Sequence, residues 1–115
     1  MLNQVVLVGR LVRDPEVEES ENGKKHSKIT IAIPRSFKNM DGEYETDFVN
    51  CVLWDNYATS TSEYCKKGDI VGVKGRLQSS TYEKDDKTMY SMDVIAERVT
   101  FLSSKAKEEP EMEKE

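Results

Sequence analysis

The residues of this chain best equipped for chemistry are rings and cations rather than acids and nucleophiles. In "DFVNCVLW", residues 47–54, two-residue alternation puts Phe48, Asn50, Val52 and Trp54 on one side and Val49, Cys51 and Leu53 on the other. The second set is an ordinary inward face. The first carries an amide and two aromatic rings, one of them the only tryptophan, on the side that should be wet. Tyr82 lies on a later polar face with Lys74, Arg76, Gln78 and Ser80, and Phe37 stands at a loop entrance. Arg10, Arg35, Lys38, Lys74, Arg76 and Lys84 lie near these rings in strand order. Flat faces with cations beside them suit a single-stranded nucleic acid, whose exposed bases stack at roughly 1–3 kcal/mol each while its phosphates follow positive charge. Every base has a π-face, so such a surface tolerates any sequence. The same rings would equally serve to bury a subunit contact, and periodicity alone leaves both readings open.

Catalysis has no comparable constellation. The single histidine, His26, stands between Lys25 and Ser27 in a polar stretch and reads as a solvated loop residue. Gly72 and Gly75 sit inside a strand, without the Lys-Ser/Thr that a phosphate-cradling loop requires. Carboxylates cluster in "EVEESE", "DGEYETD" and "KDD", none at calcium-loop spacing. Cys51 and Cys65 lack the paired spacing of a metal or redox site. The expectation is a non-enzymatic protein with no cofactor and no metal.

Its expected location is the cytoplasm, against the nucleoid. No apolar run approaches the roughly 18 residues of a membrane span. The start, "MLNQVVLVGR", has no basic segment ahead of its apolar run and no small-residue cleavage site. Reduced thiols are then the default. Net charge is −5, which opposes indiscriminate attraction to nucleic acid. From Lys105 onward there are five acids and three bases, so residues 1–104 keep 17 acids against 14 bases. Anion binding must come from local placement of Lys and Arg.

The elements that must position these side chains are mostly strands. At 115 residues the chain is long enough for one domain with a modest core. "VVLVGRL" is a first strand in which Gly9 marks a bulge or a close backbone approach. A polar stretch follows, with Asn22-Gly23 as a hairpin turn. "ITIAIPRSF" is the second strand, with Ile29, Ile31 and Ile33 inward. Pro34 breaks its ladder and leaves open the side on which Arg35 and Phe37 fall. Asp41-Gly42 turns the chain into the third strand, the one carrying Phe48 and Trp54. "DNYATSTSEYCKKGD" reads as the only helix. Asp55 or Asn56 caps its start, and Tyr57, Thr61 and Tyr64 share a face. Lys66 and Lys67 suit its C-terminal dipole, and Gly68 the left-handed position past its end. Residues 69–102 close the domain as a long hairpin turning near Asp85-Asp86, with Val71, Val73 and Leu77 inward. Five strands with one short helix between the third and fourth make an all-β, five-stranded Greek-key barrel, the layout of an OB-fold. Residues 1–103 are the expected domain and 104–115 a short acidic disordered tail.

Two motifs carry a resemblance. "NQVVLVGRLVRDPEV" and "SEYCKKGDIVGVKGRL" resemble the opening strand and the helix end with fourth strand of bacterial-type single-stranded DNA-binding proteins. The likeness runs from about Asn3 to Leu102. It implies an OB-fold, a homotetramer around which single-stranded DNA wraps, and stacking rings at four places, held here by Phe37, Phe48, Trp54 and Tyr82. It implies sequence-nonspecific binding and protection of single strands in replication, recombination or repair. The alternative is an OB-fold protein–protein adaptor of primosome type with weak nucleic-acid binding; such adaptors tend to lose the rings that this chain keeps.

Three departures qualify the resemblance. Gln78, Ser79, Ser80 and Thr81 occupy a run that is often basic in relatives, and Asn50 a position where arginine is common. Fewer cations release fewer counterions, so weaker affinity and a shallower salt slope are expected. The sequence ends at "EEPEMEKE", without the long linker and terminal apolar residues through which relatives recruit replication and repair enzymes, and Met112 is a poor substitute. Such recruitment is therefore not expected, and the short tail suits an accessory copy better than the main cellular one.

Overall fold

The computed structural model describes residues 1–104, so the tail expected at 104–115 lies outside the described residues apart from Ser104. The elements are β1 (Val5–Leu11), β2 (Glu18–Glu19), β3 (Lys25–Lys38), β4 (Tyr44–Trp54), α1 (Asp55–Tyr64), β5 (Ile70–Lys84) and β6 (Lys87–Ser103). The sheet runs in the order β1-β5-β6-β4-β3-β2, and a further β1–β3 pairing closes five of these strands into a barrel. Pairing is antiparallel except between β4 and β6, which run parallel through Cys51–Val94 and Val52–Ile95. This is the expected OB-fold. The two-residue β2 is an addition, so the helix expected between the third and fourth strands lies between β4 and β5.

Closure depends on the backbone coming close at the β1–β3 join. A Cβ on Gly9 would lie 2.9 Å from both the Ala32 carbonyl oxygen and Ile33 Cγ1. The expected close approach is thus real, and only glycine permits it. The turns use the chemistry expected of them. Gly23 and Gly42 have φ of +80° and +78°, and the Asn39 side-chain oxygen accepts from the Asp41 and Glu43 amides at 2.9 Å. Asp85 and Asp86, both with positive φ, form the two-residue turn whose twist matches the flanking strands.

The core fills from alternate positions. Leu11, Ile29, Ile31, Cys51, Leu53, Val71, Val73, Val94 and Ala96 point into the barrel, and Ala58 and Cys65 pack against them from α1 and its end. Burial, with a smaller push from Asp93, raises the Cys51 thiol to about 11. Both thiols are free and buried, as suits packing rather than reactivity.

Several expectations are corrected. Pro34 does not end its strand: it stays opposite Thr46, and the register shifts only between Pro34 and Lys38. Leu77, expected inward, is exposed, because the barrel interior ends at Gly75 and the β5–β6 arm runs beyond it. Backbone pairing there is taken over by Asn3, whose carboxamide donates to the Leu77 carbonyl at 2.8 Å and accepts from its amide at 2.9 Å. The helix is shorter than expected. Trp54 occupies its N-cap without a side-chain cap, and neither Asp55 nor Asn56 serves. Its buried face is Ala58 and Thr61, while Tyr57 and Tyr64 are exposed. Gly68 is left-handed, but it lies past the Cys65 C-cap and donates to the Leu11 carbonyl instead of ending the helix. Lys66 Nζ reaches the Ser62 carbonyl at 3.4 Å, as the dipole favours, whereas Lys67 is held through its amide by Asp14.

Candidate nucleic-acid interface

Residues paired across a sheet project to the same side, so register defines the surface. Across β3 and β4, His26 faces Trp54, Lys28 faces Val52, Thr30 faces Asn50 and Ala32 faces Phe48. The parallel join carries the row onward: Val52 meets Ile95 on β6, and Ile95 meets Arg76 on β5. From Arg76 the same side of the arm leads through Gln78 and Ser80 to Tyr82, which faces Met89, and to Lys84, which faces Lys87. One outer surface therefore runs from β3 across β4 and β6 to the arm.

The rings on it are open to solvent. Phe48 is 66% exposed and Trp54 41%, and Tyr82 is also exposed; Phe37, exposed as well, lies in the part of β3 where the register shifts and has no place in these rows. Phe48 and Trp54 stand ~20 Å apart along β4, at about 3.4 Å per residue. Val52 between them is 7% exposed, so this side is not wet along its whole length as the alternation implied. It forms an apolar floor with Ile95 between the two rings.

The cations divide into those free to face the surface and those already engaged. Arg35 sits between two carboxylates, with Nη1 2.6 Å from Glu45 Oε2 and Nη2 2.9 Å from Asp47 Oδ1. The hydrogen bond from Arg35 holds the Asp47 carboxyl below the ordinary carboxylate range, and in turn raises Arg35. Arg10 shares the row of Ala32 and Phe48, but its Nη1 donates to the Gly68 carbonyl at 2.6 Å. Arg76 Nη1 donates to Gln78 Oε1 at 3.0 Å, which keeps its head on the surface. Lys38 lies over the Tyr44 ring at 5.8 Å, next to exposed Phe37. Lys74 belongs to another part of the wall, in a row with Val6 and Arg98.

Three residues on this surface were not among the binding candidates read from the sequence. Lys28 projects outward between Ser27 and Ile29, opposite Val52. Its side was legible from alternation, but only if the strand is extended back through the polar "KHSK". Arg13 Nη2 donates to Thr30 Oγ1 at 3.1 Å, and Thr30 Oγ1 donates to Asn50 Oδ1 at 2.9 Å. This relay brings a cation beside Asn50, the position where the resemblance led one to look for an arginine. No sequence signal places Arg13 there, because it comes from the chain beyond β1. His26 is also misread by the sequence. It lies in β3, half-buried, with its ring centroid 5.3 Å from that of Trp54.

Among the described residues, no group of three or more His, Cys, Asp or Glu is placed to hold a metal ion, and no helix is long and apolar enough to cross a membrane. The surface offers exposed rings with cations in the rows beside them. Comparison with known proteins points the same way. Residues 2–102 match the model of the Single-strand binding protein family. The chain is 45% identical over 109 residues to Single-stranded DNA-binding protein B of Bacillus subtilis (strain 168), covering 94% of this chain and 96% of that one. It is 47% identical to the Single-stranded DNA-binding protein of Oceanobacillus iheyensis, covering 91% of this chain and 66% of that protein. It is 47% identical to the Bacillus cereus protein of the same name, covering 89% of this chain and 61% of the relative. The chain thus spans nearly all of the first relative and under two thirds of the other two. With its barrel, its line of exposed rings and a family match over nearly the whole described chain, this protein belongs to the Single-strand binding protein family.

Proposed function

We propose that the chain binds single-stranded DNA without sequence preference and protects it, as part of replication, recombination or repair at the nucleoid. Bases stack on Phe48 and Trp54, with Phe37 and Tyr82 extending the path at either side. Phosphates follow Lys28, Arg13, Arg76, Lys38 and Lys84. The observation that carries this reading is the shared, solvent-open face of Phe48 and Trp54 with cations in the rows between them. The relatives' names, which state single-stranded DNA binding, support it.

As the only tryptophan, Trp54 reports directly. Titration with oligo-dT should quench its emission, less so as salt rises, and a duplex of equal length should not. Absence of quenching together with absence of binding by anisotropy would refute the proposal and turn attention to a protein–protein role.

Arg10 and Arg35 fit this path less well than sequence order suggested, because they are engaged by a carbonyl and by carboxylates, while Lys74 stands one row beyond Arg76, beside Val6 and Arg98. Releasing Arg35 should therefore tighten binding. The double substitution Asp47→Asn with Glu45→Gln is expected to raise oligo-dT affinity and steepen the log–log salt slope by about 0.7, the value for one more phosphate contact on a single strand. An unchanged slope would show that Arg35 takes no part.

The assembly is proposed to be a homotetramer. Val6 and Val8, exposed on β1 in the rows of Lys74 and Gly72, supply an apolar patch suited to a second copy. Light scattering should give about four times the 13.2 kDa chain mass, and a monomer mass would refute it.

A further inference from the structure

Trp54 is the last residue of β4 and the N-cap of α1, a junction where the ladder no longer holds a side chain by neighbours on both sides. What backs it is His26. The two are paired in register, with ring centroids 5.3 Å apart and planes tilted by 38°. That separation lies in the range where aromatic pairs attract beyond their area burial. The imidazole is the less exposed partner, with its side chain 19% exposed. Behind it, His26 Nε2 lies 3.4 Å from Glu18 Oε2. Glu18 comes from β2, a strand of two residues whose register pairs are Glu18 with His26 and Glu19 with Lys25.

His26 does little else. Its Nδ1 is buried with no hydrogen-bond partner, an arrangement that costs free energy and gives no polar anchor on that side. A histidine kept for a core network would have both nitrogens satisfied. This one has a single carboxylate behind it and an indole in front. We infer that His26 is a positioning residue for Trp54: steadied by Glu18, it fixes the indole so that its open side is presented to one base. The inference rests on the proposed reading of Trp54 as a stacking platform.

The test is a double-mutant cycle on the full chain, with affinity for labelled oligo-dT read by anisotropy and the Trp54 emission anisotropy read on the free protein. His26→Ala is expected to weaken binding by roughly 3- to 10-fold, the worth of one aromatic pair. It should also lower the anisotropy of Trp54. His26→Phe, which restores a ring without the Glu18 contact, should recover most of both. In a Trp54→Ala background, His26→Ala should cost nothing further. A general loss of stability would instead weaken binding in both backgrounds, and that result overturns the inference. So does a His26→Ala protein with unchanged affinity and unchanged Trp54 anisotropy. If Trp54→Ala weakens binding and His26→Ala does not, the platform stands and only the positioning role falls. If Trp54→Ala has no effect, both fall together. Should the doubly substituted chain fail to fold, the comparison of His26→Ala with His26→Phe still decides, because only a backing role predicts recovery of Trp54 anisotropy by phenylalanine.

Discussion

Phe48→Ala and Trp54→Ala are each expected to weaken binding of oligo-dT by about 5- to 150-fold, the equivalent of losing one base stack of ~1–3 kcal/mol. Phe48 should show the larger loss. It is the more exposed ring, paired only with the small Ala32 in its row, so a base meets more of its surface. Trp54 shares its surroundings with His26, and part of its ring is already occupied. Stability should change little in either variant, since neither ring belongs to the buried cluster. Tyr64→Ala is the proper control: an exposed aromatic near the C-terminal end of α1 whose loss should leave affinity unchanged. Tyr57 would be a poor one, because it lines a shallow depression together with Trp54 and Ile95. Equal losses in Phe48→Ala and Tyr64→Ala with intact folding would show that the binding surface lies elsewhere.

The largest expected effect on stability is at Gly75. A Cβ there would stand 2.1 Å from the Ile95 carbonyl oxygen and 2.9 Å from its carbon, both backbone atoms of the neighbouring strand. No rotamer change relieves such a contact. The two strands must separate where the β5–β6 register already shifts, next to the row that links Arg76 to Ile95 and Val52. Gly75→Ala should cost at least about 3 kcal/mol, the upper range of overpacking. Gly72→Ala makes the contrast. The nearest side chain there is Leu102 Cδ1 at 3.6 Å, an ordinary contact, and the change should stay within about 1 kcal/mol. Urea unfolding of the two variants checks this, and similar midpoints would show that the β5–β6 ladder yields far more easily than its geometry implies.

The barrel was largely legible in the sequence because its interior obeys strict alternation. Ile29 with Ile31, Cys51 with Leu53 and Val71 with Val73 announce three walls of one core. What alternation could not supply was the join between hairpins. The parallel contact of β4 with β6 decides that Val52 is buried and that Arg76 shares a surface with Trp54, and it links residues more than forty positions apart. Side-chain commitments were equally hidden. Arg35 reads as a phosphate ligand in the sequence, but Asp47 and Glu45 stand beside it, and nothing in the sequence ties Arg13 to Thr30, whose hydroxyl accepts from it. Strand order predicts which residues are near one another. It does not predict which charges have already been spoken for.

The route by which the barrel closes has a bearing on how the chain is made. β1 pairs along most of its length with β5, Val5 lying opposite Gly75, and meets β3 only through Arg10 and Leu11. During synthesis the apolar segment "VVLVGRL" must therefore wait until some seventy further residues have emerged before its main partner exists. Pairing at such separations is slow, because the entropy of closing the loop is lost before any contact compensates it. β5 in turn needs β6, so the sheet is complete only when residue 103 is free of the ribosome. Nascent chains of this protein should be captured by chaperones that recognise short extended aliphatic segments, and released as the last strand seals the barrel.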